Sequence, residues 1–249
     1  MTTKMNLNLK LVIQKLIFFL ISASLLLSFL DLFGIFCQLY LKTDLKGFVW
    51  IIAVDGDGNI GTWYSSIILL ISSLLLIFIA TLKTQQNDRR SRKWFILGII
   101  FLVLSIDEVA TIHERSTNLI HVSALGGFLY YSWVIFGIIF VSLVFFYYID
   151  FLKDLPARTR NLFLLSGGIY VGGALGMEMI DAKLAYTKET VLYAIGTNFE
   201  ELCEMLAIVL FIFSLLNHIR INMNIEVIKF NFLSKHDLEK EALTAREDN

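Results

Sequence analysis

The chain has 249 residues, 57% of them hydrophobic, and a mean hydropathy of +0.70. The apolar excess is gathered in runs of about 20 residues, the length that crosses a bilayer core, which excludes an ordinary soluble domain. A net charge of −1 without a basic stripe excludes a nucleic-acid partner, and Cys37 and Cys203, in separate apolar runs, exclude a disulfide framework or zinc knuckle.

In chain order, Met1 to Lys10 is short and polar. The first apolar run, about 11–40, is too long for a signal-peptide core and has no small-residue cleavage site, so it reads as a retained span over about 11–35, with Asp31 near its far end. A connection over 42–61 contains Phe48-Val-Trp-Ile-Ile-Ala-Val54, too short to cross and suited to the interface, and then a turn at Asp55-Gly-Asp57-Gly-Asn59. Further spans are predicted over about 62–82, 94–112, 128–152, 161–180 and 191–219. Loops rich in Lys and Arg, 83–93 and 153–160, separate spans two from three and four from five. The expected architecture is an all-α bundle of six transmembrane helices over 1–219, followed by a polar tail over 220–249 with a short helix after Ser234.

Positive residues orient such a chain. Six spans put both termini and the two dense basic loops on one side, which predicts cytoplasmic termini in the inner (plasma) membrane of the cell. The connections 42–61, 113–127 and 181–190 then lie outside.

The chemistry is concentrated in acids within these spans. Asp107, Glu108, His113 and Glu114 close span three; Glu178 and Asp181 close span five; Glu200, Glu201 and Glu204 open span six. At about 1.5 Å per residue, all of them fall in the outer half of the membrane. Helical phase puts Asp107, Thr111 and Glu114 on one face, with Glu108 at its margin, and Thr197, Glu200, Glu201 and Glu204 within one arc. His113 joins the Asp107 face only if the helix ends or bends first. Acids in a poorly hydrated place cannot all stay charged together; they take up protons, bind a cation or open to water. A divalent metal ion on Asp107, His113, Glu114, Glu178, Asp181, Glu200, Glu201 and Glu204 is one answer, with Asp107, Glu108, His113 and Glu204 as catalytic candidates. The plainer alternative is that some are water-facing helix ends, favoured by the helix dipole at Glu200 and Glu201.

Other features have ordinary readings. Gly168, Gly172 and Gly176 form a small-residue stripe expected to pack against a neighbouring helix, roughly opposite Glu178 and Asp181. Asp55-x-Asp57-x-Asn59 starts like a calcium loop but has Ile60 where that loop needs glycine, so a turn is expected. Trp50, Trp63 and Trp133 are expected to anchor the interface, and His121 and His218 to be solvated.

Thr62-Trp-Tyr-Ser-Ser, Leu104-Ser-Ile-Asp-Glu, His113-Glu114, Tyr170-Val-Gly-Gly-Ala-Leu-Gly-Met-Glu178 and Glu200-Glu-Leu-Cys-Glu204 together resemble a group of bacterial six-span integral membrane proteins. Ser105, Asp107 and His113 also resemble, in residue type, the serine, aspartate and histidine of the alkaline ceramidase-like membrane hydrolases. That likeness implies a zinc site cleaving lipid amides. The late His-x-x-x-His pair of that family is absent, and Glu200 and Glu204 stand at the same spacing as carboxylates.

Three functions follow as expectations: a metal-dependent enzyme on lipid or a lipid-linked substrate, a non-catalytic membrane subunit or sensor, and a cation- or proton-coupled transporter. Membrane lipid is the expected partner, together with a membrane protein partner or a second copy of the chain.

Overall fold

The computed structural model describes residues 3–56, 58–112, 127–131 and 133–232. Helix α1 (Leu9–Leu39) begins at Asn8, whose side chain accepts a hydrogen bond from the Lys10 N–H at 3.0 Å. Past its first turns its outer face is apolar, and its 31 residues extend roughly 46 Å, more than the bilayer core. Only a narrow stripe is buried, and that stripe is partly polar: Ser24, Ser28 and Asp31 face inward while Phe18, Phe19 and Phe29 face out. Polar-in, apolar-out is the pattern lipid selects.

The apolar segment after α1 forms a five-residue helix, α2 (Phe48–Ile52), too short to cross, as its sequence predicts. Val49 and Ile52 are buried and Trp50 is exposed. Gly34 makes this docking possible, because a Cβ there would lie 2.9 Å from Val49 Cγ1. The turn that follows is a helix cap. The Asn59 carboxamide accepts from the Thr62 N–H at 2.9 Å and donates to the Gly56 carbonyl at 2.8 Å, so its groups are committed to starting α3 (Ile60–Gln85).

Helix α4 (Ser91–Ala110) folds back on α3 with close backbone contact. The Ser73 hydroxyl donates to the Gly98 carbonyl at 2.8 Å, and Ser66 and Ser105 each donate to the other's carbonyl at 2.9 Å. Serine and glycine thus join the two helices, as small residues do where no hydrophobic force operates between them. Ser105, the candidate serine of the hydrolase likeness, is buried in this seam. Helix α4 stops at Ala110, two residues before the expected end. Thr111 is left-handed (φ 48°), and its N–H donates to the Asp107 carbonyl at 2.7 Å. His113, Glu114 and His121 lie outside the described residues.

Helix α5 (Trp133–Asp154) is mostly lipid-facing, with Val134, Tyr148 and Phe151 its buried residues. After Pro156 comes α6 (Ala157–Thr187), which departs from expectation twice. It runs through the segment expected to be a loop, so Asp181 is helical and 1% exposed. It also contains a π-helical turn at Gly172–Met177. An extra residue in a turn offsets the downstream face by about one residue's rotation, roughly 100°. The glycine stripe does not pack as expected: a Cβ at Gly168, Gly172 or Gly176 would meet nothing within 4 Å. Gly173 is the glycine of this segment set against a neighbour: a Cβ there would lie 3.2 Å from Glu204 Cγ.

Helix α7 (Thr190–Asn217, closed by a π turn at His218–Asn222) is the axis of the bundle. It packs on α1, α3 and α6 and buries Met205, Ile208, Val209, Ile212 and Leu215. His218 is 3% exposed rather than solvated. Its Nδ1 lies 3.2 Å from the Thr159 hydroxyl, and its ring lies against Trp94.

Five of these helices are long and apolar enough to cross a membrane, and the chain is a multi-pass membrane protein. The shorter α4 has that character in its middle, between Arg92-Lys93 and Asp107-Glu108. The fold is all-helical, as expected, apart from one short pairing of terminal segments. Strand β1 (Thr3–Asn8) pairs antiparallel with β2 (Val227–Phe232), and Leu9 N–H donates to the Glu226 carbonyl at 3.0 Å. The start of the polar tail is therefore tied to the N-terminus; the helix expected after Ser234 lies outside the described residues.

Candidate functional site

A cavity of about 1050 Å³ lies among α4, α5, α6 and α7. Its two ends differ in chemistry. One end is aromatic and aliphatic, with Phe101, Phe145, Phe151, Phe163, Ile208 and Phe211 in its wall. The other is acidic. The last turns of α4 bring Asp107 and Glu108, α6 brings Glu178 just past its π turn, and α7 brings Glu200, Glu201 and Glu204; Asp55 comes from the turn before α3.

The acids sit among aromatic hydroxyl and indole groups. Trp133 Nε1 donates to Glu178 Oε1 at 3.0 Å, so this tryptophan lines the cavity rather than simply anchoring the interface. Tyr170 lies beside Glu204, and the Tyr131 hydroxyl lies 3.5 Å from that of Tyr193. Among the described residues, no Lys, Arg or His lines the cavity. The described ion pairs, Lys83–Asp88, Arg90–Asp154 and Lys153–Asp150, belong to the helix ends and turns nearer Phe151.

Asp181 lies behind Glu200, off the cavity surface, with the two carboxyls facing each other. Gly196 makes room for it: a Cβ there would collide with the Asp181 carboxyl. Neither Asp181 oxygen, nor Glu200 Oε2, receives a hydrogen bond from a described donor. Residues 1% and 7% exposed are unusual hosts for unpartnered carboxyl oxygens.

The sequence-predicted acids thus share a cavity without sharing a coordination sphere. Among the described residues, no three His, Cys, Asp or Glu side chains are placed to hold a metal ion, so the metal set read from the sequence is not supported there. Sequence reasoning missed Tyr131, Tyr170 and Tyr193. Tyr193 stands seven residues before Glu200, two turns along the same face, and that spacing was the available signal.

A second polar cluster also escaped the sequence. Asp31, 6% exposed, accepts from Asn198 Nδ2 at 2.7 Å and from the Val54 N–H at 3.3 Å. Ser28 donates to Asn198 Oδ1 at 2.8 Å, and Asn198 Nδ2 also reaches the Ser28 carbonyl at 3.0 Å. This cluster is satisfied within itself and fixes the face of α7 opposite the cavity.

No curated protein and no solved structure matches the chain. A family model described as a domain of unknown function, DUF8692, matches residues 16–219, from within α1 to the start of the π turn that closes α7. The match covers most of the chain, which therefore belongs to the DUF8692 family.

Proposed function

We propose that this is a six-span protein of the inner (plasma) membrane, with both termini cytoplasmic, whose cavity takes a lipid-like amphiphile from the outer half of the bilayer. The observation that carries the reading is the division of one cavity into an aromatic end and a carboxylate end. An amphiphile matches both ends; a small polar solute matches one. The volume is at the upper end of those that enclose a drug-sized ligand. Helix α5 forms one wall and has few neighbours of its own, which offers lateral entry from lipid. The basic loops 83–93 and 153–160 support the orientation, and the β1–β2 pairing supports an even number of crossings.

The test uses Gly167, which lines the cavity and whose Cβ would meet nothing within 4 Å. Gly167→Phe adds bulk to the cavity from a position whose Cβ is accommodated. Purified protein in lipid nanodiscs is expected to retain about one tightly held amphiphile by native mass spectrometry, and Gly167→Phe to lose it. Equal retention by both proteins, or none in the wild type, overturns the reading.

A second reading adds catalysis. A divalent metal ion on His113 and Glu114 with Asp107 or Glu204 would activate water against a lipid ester or amide, with Glu108 as base. The left-handed stop at Thr111 favours it, because the chain leaves the helix before His113. Metal analysis of purified protein and of His113→Ala decides: a bound metal lost in the variant supports catalysis, and an equal content in both removes it.

A further inference from the structure

We infer that the acidic end of the cavity binds the ammonium head of its amphiphile, with Glu200 and Glu201 as counter-charges. The inference rests on the amphiphile reading above and specifies the class of head group.

The first argument is the unmet demand of the carboxyls. Glu200 lines the cavity at 7% exposure with Oε2 receiving no hydrogen bond from a described donor, and the Asp181 carboxyl, off the cavity, faces it from behind. Adjacent carboxyls of one sign require a proton or a cation between or beside them. Glu201 and Glu204, one residue and one turn further along α7, add to the same demand.

The second argument is geometric. A divalent metal needs several ligands within a short radius, and the described acids do not supply three such ligands. An ammonium group is larger and more diffuse. One or two carboxylates and flanking aromatic rings satisfy it, and rings with negative faces attract it further. Trp133, Tyr170 and Tyr193 line this end of the cavity.

The third argument is exclusion. A phosphate-headed lipid placed with its head at Glu200, Glu201 and Glu204 would meet like charges.

The experiment compares three amphiphiles with one dodecyl chain and different heads: dodecyltrimethylammonium, dodecyl maltoside and dodecyl phosphate. Binding to full-length protein in nanodiscs is read by tryptophan fluorescence. The expected order is ammonium first, by about tenfold over the neutral head, with phosphate last. Glu200→Gln with Glu201→Gln is expected to abolish the preference while leaving maltoside affinity unchanged. If these variants do not fold, the wild-type order alone decides. Equal affinity for ammonium and maltoside, or a preference that survives both substitutions, overturns the ammonium inference and leaves the amphiphile reading standing. Failure of all three to bind overturns both.

Discussion

The α3–α4 pair and the α5–α6 pair are both antiparallel hairpins of apolar helices, yet they are built in opposite ways. In the first, every small residue at the seam has a use. Gly98 lets the helices approach, and Ser66, Ser73 and Ser105 bond backbone carbonyls across the gap. In the second, one close approach, where a Cβ at Gly137 would lie 2.6 Å from Leu175 Cδ2, stands beside a cavity, and a Cβ at Gly167, Gly168, Gly172 or Gly176 would meet nothing within 4 Å. Similar composition has produced a sealed half and an open half. The sealed half, with the Asp31–Asn198 cluster on the far side of α7, holds the acid-bearing turns of α4 and α7 in place. The open half leaves room for a guest.

The strongest way to break that contrast is to unseat the fixed face of α7. Asn198→Leu removes the partners of Ser28 and Asp31 together and leaves a buried carboxylate with the Val54 N–H as its remaining described donor. Stranding buried polar groups costs about 1–3 kcal/mol each, more when charged. The expected result is a loss of thermal stability larger than that caused by Gly98→Val or Asp88→Asn, measured by unfolding in detergent. A loss no greater than that of a lipid-facing control such as Phe18→Leu would show that the cluster does not hold the bundle.

A paired experiment sharpens the contrast. Gly98→Val puts a Cβ 2.8 Å from Ile77 Cγ1 and 3.3 Å from the Ser73 carbonyl, and overpacking of this kind costs roughly 1–3 kcal/mol. Gly168→Ala, in open space within a helix, is expected to stabilise by about 0.4–1 kcal/mol, by restricting the unfolded chain. Opposite signs in the same unfolding assay are the expected outcome. Destabilisation by both would mean that the open face is covered after all.

The spans are legible in the sequence because lipid imposes a length and an apolarity that any window of the chain displays. The short α2 and the Asn59 turn are legible for similarly local reasons, since both depend on residues within a few positions. The remainder depends on phase or on distant contacts. A reading at 100° per residue assumes an unbroken α-helix, and the π turn at Gly172–Met177 invalidates it for everything from Glu178 onward. Gly168, Gly172 and Gly176 lie ahead of that point and do share one exposed face; what spacing cannot supply is the neighbouring helix, which the fold does not place there. Asp181 reads as a loop residue because acids at the end of an apolar run usually mark one. Here Gly196, on another helix, provides the space that lets the carboxyl stay inside. Asp31 and Asn198 lie 167 residues apart, and no local pattern relates them. His218 has the sequence position of a span-flanking residue, but Trp94 and Thr159 close over it. The acids of α4, α6 and α7 line one cavity; a count of residues along each span gives them a common depth, and whether they touch depends on side-chain geometry that a count cannot supply.

The smallest expected effect concerns the turn that closes the sealed half. Asp88 accepts from the Arg90 N–H at 2.9 Å and pairs with Lys83 Nζ at 3.2 Å. Burial alone would push its carboxyl up, but the bond from Arg90 and the charges of Lys83 and Arg90 outweigh it and hold the group below the ordinary carboxylate value. A carboxyl lowered by folding contributes stability above its unfolded value and loses that contribution as pH falls through the folded one. Asp88→Asn is therefore expected to destabilise modestly at neutral pH, by roughly 0.2–1 kcal/mol for a solvent-screened pair, with less effect at higher salt. Below the ordinary carboxylate range the difference from wild type should vanish, because both side chains are then neutral. A deficit of the same size at neutral and at strongly acid pH would assign the effect to the shape of the turn. In that case the α3–α4 hairpin would owe its closure to backbone geometry alone, and charge would have no part in sealing this half of the bundle.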